Sequence, residues 1–350
     1  MGKHNEEKKK NKGLKIFLRV LLVLLIIIVI LAGIAVGYVT NKLGKITVEE
    51  IDEKAIGIDE ETEEKLSGYR NIALLGIDSR EDDYGVGNRS DCIIIASLDE
   101  KTKQIKLISV YRDTYMQIEE KGKQVLDKVT HAYAYGGAQN TLKALNTNLD
   151  LNITEYVTVN FDAVIAAVDA MGGITIDIDS SEIEYINDYI KSTSQSSGIS
   201  SSAITKAGSQ TLDGVQAVAY SRIRYTAGGD YKRTERMRTV IEAMLNKAKT
   251  LSISQLNKLI DTVLPRVSTN ISGAEILGLV PSITSYSISD SIGWPYETKG
   301  ITLDRWYGVP VTLESNVLQL HQEVFGQTDY VVNDTIKNIS QQIINKTGKK

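Results

Sequence analysis

The sequence predicts an α/β fold in which helices cover both faces of a sheet, preceded by one transmembrane helix. Two observations carry this prediction. Short apolar runs of strand length alternate along the chain with longer segments that have helical apolar spacing. Near the N-terminus, residues 20–39 form an uncharged apolar stretch that is long enough to cross a bilayer as a helix.

The composition of the 350-residue chain is that of a folded protein, with 42% apolar and 24% charged residues. Its single cysteine, Cys92, excludes a disulfide framework within the chain and a cysteine metal cage. The three histidines leave little room for a histidine metal site or a catalytic triad. The net charge of -4 argues against nucleic acid as a partner of the folded part.

The charges that flank the apolar stretch predict its orientation. Lysines and one arginine crowd residues 3–19, whereas residues 49–64 are strongly acidic. By the positive-inside rule, the N-terminus is cytoplasmic and the chain beyond residue 40 lies outside the cell membrane. A cleaved signal peptide is the alternative, with Gly33-Ile34-Ala35 as a small-x-small cleavage site, but the length of the stretch favours an uncleaved anchor.

The chain therefore divides into a small number of predicted regions. A Ser-rich stretch, 192–202, is expected to be an exposed loop within the folded domain. The predicted regions are a cytoplasmic basic tail (1–19), a signal-anchor helix (20–39), an acidic extracytoplasmic stalk (40–67), a folded domain (68–345, with the charged motifs described below in 68–245) and a frayed tail (346–350).

Three apolar runs begin the folded domain. Residues 71–77, 92–98 and 105–110 are expected to be neighbouring antiparallel strands. Helices are expected after residue 137 through Leu149 and at 161–171, the latter ended by two glycines and followed by a strand at 174–178. The later segments are 212–220, as a short helix or an extended run, and 255–264 and 274–286, both with helical spacing.

If the first three strands are neighbours, their ends collect charged residues at one edge of the sheet. That edge would gather Asp78, Arg89, Asp91, Arg112 and Asp113. Carboxylates beside arginines suggest Mg2+ that bridges to a phosphate, because magnesium takes one or two carboxylates together with phosphate oxygens. A network of Asp–Arg ion pairs that closes the loops explains the same pattern equally well.

A second cluster of charge lies at 222–238, where five arginines occur in an acidic chain. Arg233 is placed ahead of the apolar stripe of a predicted helix, near its N-terminus, where a bound anion would explain a semi-buried cation. The alternative is that Asp230 caps this helix and pairs with Arg233. We expect Arg222, Arg224 and Arg233 to bind phosphate, Arg236 to support them, and Arg238 to be a solvated charge.

These motifs, in their order, resemble the LytR-CpsA-Psr family of membrane-anchored cell-wall proteins. No single motif is specific, but the ordered set is, and it covers about residues 68–245. The motifs are NIALLGID at 71–78, RSD at 89–91, SVYRDT at 109–114, KVTHAY at 128–133 with Gly136 and Gly137, MGGI at 171–174, LDG at 212–214, RIR at 222–224, and GDY at 229–231 with Arg233 and Arg236.

The resemblance implies an α-β-α sandwich with a central mixed sheet, and an extracytoplasmic phosphotransferase. Such a protein moves a glycan polymer, of the teichoic acid or capsular polysaccharide type, from a polyprenyl (pyro)phosphate carrier to peptidoglycan. Asp78 and Asp91 match the family's residues for Mg2+ (or Mn2+). Its catalytic and phosphate-binding residues match Arg89, Arg112, Lys128, Arg222, Arg224 and Arg233. The family also implies a hydrophobic tunnel for the carrier.

Two departures and two alternatives accompany the resemblance. Met237 occupies a position where many members have Gln, which removes one hydrogen-bond donor to pyrophosphate, and Tyr111 stands where many have Pro. One alternative function is a pyrophosphatase that uses water as the acceptor. The other is a non-enzymatic regulator of cell-envelope gene expression.

Overall fold

The structure is a computed structural model that describes residues 47–79, 83–225, 228–279, 282 and 284–350. The strands are β1 (Thr47–Val48), β2 (Tyr69–Ile77), β3 (Ser90–Asp99), β4 (Gln104–Val110), β5 (Tyr115–Glu120), β6 (Lys123–Lys128), β7 (Glu155–Val159), β8 (Ile174–Ile178), β9 (Gly208–Leu212), β10 (Val267–Thr269), β11 (Ser287–Trp294), β12 (Thr298–Thr302) and β13 (Trp306–Pro310). The α-helices are α1 (Glu60–Lys65), α2 (Thr130–Leu149), α3 (Phe161–Ala170), α4 (Ile183–Ser197), α5 (Gly214–Arg222), α6 (Gly229–Ala248), α7 (Ile253–Val263), α8 (Gly273–Leu279), α9 (Leu313–Phe325) and α10 (Asp334–Thr347).

Seven strands form a central mixed sheet in the order β1-β10-β7-β2-β3-β4-β11. Strands β2, β3 and β4 are antiparallel neighbours, as expected, whereas β7 joins β2 and β11 joins β4 in parallel. The predicted α/β fold with a central mixed sheet is therefore confirmed. The other strands pair as three two-stranded units, β5-β6, β8-β9 and β12-β13.

The strands at the centre of the sheet read as continuous apolar runs because both of their faces are buried. In β2, Ala73, Leu75 and Ile77 pack with α2, α9 and α10 on one face. Ile72 and Leu74 alternate with them and pack with α6 on the other face. A third apolar cluster joins helices α3, α4, α5 and α6 with β8 and β9.

Helix α5 carries the first arginine of the cluster and is set closely against α3. Asp213 caps α5, because its carboxylate accepts a hydrogen bond from the backbone N–H of Gln216. In return, the side-chain oxygen of Gln216 accepts from the backbone N–H of Asp213. A Cβ on Gly214 would collide with the backbone of Ile165 in α3, so only glycine permits this approach. The segment predicted as a helix or an extended run is thus a helix that ends at Arg222.

Part of the predicted stalk belongs to the folded unit, which corrects the expected domain start near Gly68. Strand β1 pairs with β10 at the edge of the sheet. Ile56 and Leu66 are fully buried in the core beside α2. The acidic composition of this segment concealed these contacts, because a few apolar residues at the right positions are sufficient to dock it.

Three smaller expectations also need correction. Helix α4 continues to Ser197, so the first half of the Ser-rich stretch is helical rather than a loop. The end of the segment expected to be helical at 274–286 is instead a turn at 284–285 that leads into β11, and helix α10 runs to Thr347, into the tail expected to fray. In the part of the chain that the structure describes, no helix is long and apolar enough to cross a membrane. The predicted span at 20–39 lies outside the described residues.

Candidate functional site

A polar cavity of about 300 Å³ opens where β2 and β4 end and β3 begins. Asp78 follows β2, Asp91 is the second residue of β3, and Arg112 follows β4. Antiparallel pairing of these strands brings the three residues to the same edge. The cavity is lined by Asp78, Asp91, Arg112, Phe161, Tyr189, Arg222, Arg224, Arg233 and Met237.

Asp91 is the carboxylate around which the arginines of the cavity are arranged. The Nη1 of Arg112 donates to its Oδ2 at 2.8 Å, and the Nη2 of Arg224 lies 3.8 Å from the same oxygen. Burial by itself lowers the pKa of Arg112. The negative charges of Asp91, Asp113 and Asp230 more than offset this effect, so the pKa is raised above its usual value. Of the residues predicted at this edge, Asp78, Asp91 and Arg112 line the cavity, and Arg112 pairs with Asp91.

Arg233 is the most deeply buried cation of the cavity, with 2% of its surface exposed. Its Nη2 lies 3.0 Å from Asp230 and 3.4 Å from the backbone oxygen of Asp91. Burial lowers its pKa, and the nearby Arg224 and Arg112 lower it further. Its Nε is buried without a hydrogen-bond partner among the described residues. A bound anion would satisfy this guanidinium.

The alternative prediction, that Asp230 both pairs with Arg233 and caps α6, is confirmed for the ion pair and wrong for the cap. Asp230 pairs with Arg233 and lies 3.8 Å from the Nε of Arg224, but it does not cap α6. The N-cap residue is Gly228, which has a φ of 94° and no side chain to offer. Arg224 and Arg233, both close to Asp230, therefore lie together in the cavity wall, and a pair of guanidinium groups suits the oxygens of a phosphate.

Arg222 is held by a different set of contacts at the end of α5. Its Nη1 donates to the hydroxyl of Thr193 at 2.9 Å. Its guanidinium lies over the rings of Phe161 and Tyr189, at 5.2 Å and 5.3 Å from their centroids. These two aromatic residues line the cavity and were not predicted; in the sequence they are ordinary members of helical apolar patterns.

Two arginines of the cluster lie outside the cavity, and one of them contradicts its prediction. Arg236 is buried and pairs with Glu182 at 2.8 Å, and it donates to the carbonyl of Ile223, so it fixes the segment between Arg222 and Arg224. Arg238 was expected to be solvated, but only 8% of it is exposed. Helix α6 is covered on two sides, because it packs against both the sheet and the helical cluster.

The remaining predicted residues, Arg89 and Lys128, do not line the cavity in the part of the chain that the structure describes. Arg89 is exposed just before β3. The ammonium of Lys128 lies 2.6 Å from Asp113, which in turn lies 3.4 Å from the Nε of Arg112. Lys128 therefore reaches the cavity only through this chain of ion pairs.

An apolar cavity of about 240 Å³ adjoins the polar one. The two share Asp91, Phe161 and Met237 in their walls, so the arginine cluster stands at the end of the apolar space. The rest of its lining is aliphatic apart from a few small polar residues: Leu74, Leu75, Gly76, Ile77, Cys92, Val157, Val159, Asn160, Ala163, Val164, Ala167, Val218, Ser221, Val240, Ile241, Met244 and Val263. Met237 stands at the junction as a nonpolar group.

Fold and site together define an α/β protein that joins an arginine-lined cavity to an apolar one, the arrangement that an amphiphile with an anionic head requires. The chain belongs to the LytR_cpsA_psr family, which it matches over residues 35–301. It is 31% identical over 313 residues to the polyisoprenyl-teichoic acid–peptidoglycan teichoic acid transferase TagT of Bacillus subtilis, covering 86% of this chain and 93% of the relative.

A second relative and a solved structure are also similar to this chain. A transferase of the same description, TagU of Enterococcus faecalis, is 35% identical over 204 residues, which are 58% of this chain and 61% of the relative. Among solved structures, TagT bound to LIIa-WTA superposes with a TM-score of 0.57 and 25% identity over 87% of this chain and 99% of that one.

Proposed function

We propose that this protein is a membrane-anchored, extracytoplasmic phosphotransferase. It moves a glycan polymer of the teichoic acid or capsular polysaccharide type from a polyprenyl (pyro)phosphate carrier to peptidoglycan. The observation that carries the proposal is the junction of the two cavities, where Arg112, Arg224 and Arg233 stand at the end of an aliphatic space. A carrier with an apolar chain and a charged head has this distribution of chemistry.

The relatives support the identity of the substrates. TagT and TagU are described as acting on polyisoprenyl-linked teichoic acid and peptidoglycan. The apolar stretch at 20–39 would hold the protein in the cytoplasmic membrane, with residues 1–19 inside and the folded domain outside. That position gives the site access to both the lipid carrier and the cell wall.

The residues of the cavity fit Mg2+ (or Mn2+) that arrives together with the substrate. Asp78 and Asp91 offer two carboxylates in the cavity wall, the number that magnesium commonly takes when phosphate oxygens and water complete its ligands. Among the described residues, no group of three or more His, Cys, Asp and Glu residues could hold a metal without such help. When bound, the ion would neutralise charge that develops on the phosphate oxygens.

The reaction is an in-line displacement at the phosphorus that bears the glycan. A sugar hydroxyl of peptidoglycan forms the new O–P bond, the bond from phosphorus to the carrier's phosphate oxygen breaks, and polyprenyl phosphate leaves. The attacking hydroxyl loses its proton to a base, and the carboxylates in the cavity wall that are available to accept it are those of Asp78 and Asp91. The arginines hold the phosphates and offset their charge, so catalysis rests on positioning and electrostatics.

Replacing Arg224 by alanine should lower the rate of glycan transfer about 100-fold while leaving the fold intact. The side chain is 41% exposed and its ion pairs are long, at 3.8 Å to both Asp91 and Asp230, so it contributes little to stability. The measurement is transfer of glycan to peptidoglycan by the full chain in detergent. Lys232→Ala, at an exposed cation of α6 that pairs at the surface with Glu235, is the matched control. Full activity of R224A would refute this role.

A further inference from the structure

One exposed tryptophan lies beside the site without a role in it. Trp306 begins β13, and 47% of its surface is exposed, whereas Trp294, the other tryptophan, is fully buried. Strands β12 and β13 form an antiparallel hairpin in which Gly300 is paired with Gly308. Both glycines lie on the same hairpin face as Trp306, because cross-strand partners and alternate residues share a face.

The indole of Trp306 rests on this pair of glycines. A Cβ on Gly300 would lie 2.8 Å from the indole Nε1, and a Cβ on Gly308 would lie 3.6 Å from Cη2 at the far end of the ring. The ring therefore extends across both glycines, and one of its faces is covered by the hairpin. The missing side chains make room for it, and the opposite face is left for a ligand.

The hairpin is joined directly to the wall of the polar cavity. The backbone N–H of Gly308 donates to the carbonyl of Asp113 at 3.0 Å, and Asp113 follows Arg112. A second exposed aromatic residue, Tyr231, packs edge-to-face on Tyr111 at 4.5 Å. Burial raises the pKa of the Tyr231 phenol, and its interaction with Thr298 of the same hairpin opposes that rise. Trp306 and Tyr231 thus flank one side of the site.

In the strand order of the sheet, the hairpin and the strands that line the apolar cavity lie on opposite sides of the site. The strands that contribute to the aliphatic lining, together with helices α3, α5, α6 and α7, are β7, β2 and β3. The hairpin instead follows β11 and bridges to Thr114, just beyond β4. In an in-line displacement, the attacking group approaches phosphorus from the side opposite the leaving group. If the lipid phosphate leaves toward the apolar cavity, the acceptor enters from the side of the hairpin.

We propose that Trp306, with Tyr231 beside it, is a stacking platform for a pyranose ring of the acceptor glycan strand of peptidoglycan. The proposal rests on the proposed function, since that function supplies the acceptor. A pyranose presents a face of C–H groups that packs on a flat aromatic ring, while its hydroxyls remain at the edges for hydrogen bonds. Trp306 is here a positioning residue for the acceptor and makes no contact with the reacting phosphate.

Binding of soluble peptidoglycan glycan oligosaccharides to the full chain in detergent tests the platform without requiring transfer. We expect saturable binding by calorimetry, with a change in the emission of exposed Trp306. Trp306→Ala should weaken binding about 10-fold, the effect of losing one packed aromatic contact, and Trp306→Phe should restore most of it. Gly300→Ala retains Trp306 but places a methyl group against its indole, so it should weaken binding to an intermediate degree. Val331→Ala, at another exposed apolar residue, is the control.

The same variants separate the possible outcomes. Equal binding by wild type and W306A, with both folded by circular dichroism, would overturn the platform. Binding of soluble teichoic acid fragments, but not peptidoglycan fragments, in a Trp306-dependent manner would overturn the assignment to the acceptor. In the transfer assay, W306A should raise the KM for acceptor and leave the KM for donor unchanged. If the wild-type protein binds the peptidoglycan oligosaccharide through Trp306 but transfers no glycan, the platform stands and the proposed function is wrong.

Discussion

Replacing Arg233 by methionine is expected to lower kcat/KM for glycan transfer about 1,000-fold without lowering the stability of the protein. The guanidinium is buried in the cavity wall, its Nε has no hydrogen-bond partner among the described residues, and burial depresses its pKa. Its acidic partner in the ligand-free protein, Asp230, is partly exposed and stays hydrated without the guanidinium, so a hydrophobic side chain of similar volume should be tolerated or even stabilising. The phosphate would lose its most desolvated cation, which costs much of the transition-state stabilisation.

Arg236→Met is the matched control, because it changes another buried arginine on the same helix. Arg236 is fully engaged, with Glu182 at 2.8 Å and the carbonyl of Ile223 at 3.2 Å. Its loss leaves the buried carboxylate of Glu182 unpaired, so the free energy of unfolding should fall by about 3–5 kcal/mol. Denaturant unfolding and transfer rates of both variants check the contrast. An active R233M, or an R233M as unstable as R236M, would contradict the assignment of Arg233 to the ligand.

Asp91→Asn is the second variant with a large expected effect, a loss of about 1,000-fold in transfer. The carboxylate accepts from Arg112 at 2.8 Å, faces Arg224, and is one of the two acid groups in the cavity wall. Its removal leaves the arginines without the anion that arranges them and leaves Asp78 as the remaining carboxylate for a metal. Rates measured across a series of Mg2+ concentrations should show that D91N needs more metal for its residual activity.

Asp113→Asn is the comparison for this variant. Asp113 also pairs with Arg112, at 3.4 Å, and with Lys128, at 2.6 Å, but it does not line the cavity. We expect it to lose about 10-fold at most, with an unchanged dependence on Mg2+. If both variants lost activity equally and kept the same metal dependence, Asp91 would be an ordinary member of the ion-pair network rather than a residue of the site.

The sheet edge could be predicted from sequence because it depends on local signals. Three short apolar runs, each ending or beginning with charged residues, are sufficient to bring Asp78, Asp91 and Arg112 together once antiparallel pairing is assumed. The burial of Arg233 followed from its place ahead of an apolar stripe. These are properties of one element and its neighbours, and they need no knowledge of distant packing.

Other features depend on contacts between distant parts of the chain. Arg238 is buried near Tyr111 and Cys92, although it lies outside the apolar stripe from which burial on α6 was predicted. Lys128 is kept from the cavity by Asp113, although both belong to motifs of the family. The support of Trp306 by Gly300 and Gly308 arises only when β12 and β13 pair. Such features combine residues whose individual patterns are unremarkable in the sequence.

The central claim is that the arginine cavity transfers a glycan to an acceptor rather than to water. The direct measurement is mass spectrometry of the products formed by the full chain from a polyprenyl pyrophosphate-linked glycan, with and without peptidoglycan oligosaccharide. We expect polyprenyl phosphate together with glycan joined through a phosphodiester to the oligosaccharide, in equal amounts and only when the acceptor is present. Release of free glycan phosphate at the same rate with or without acceptor would contradict the claim and identify a pyrophosphatase.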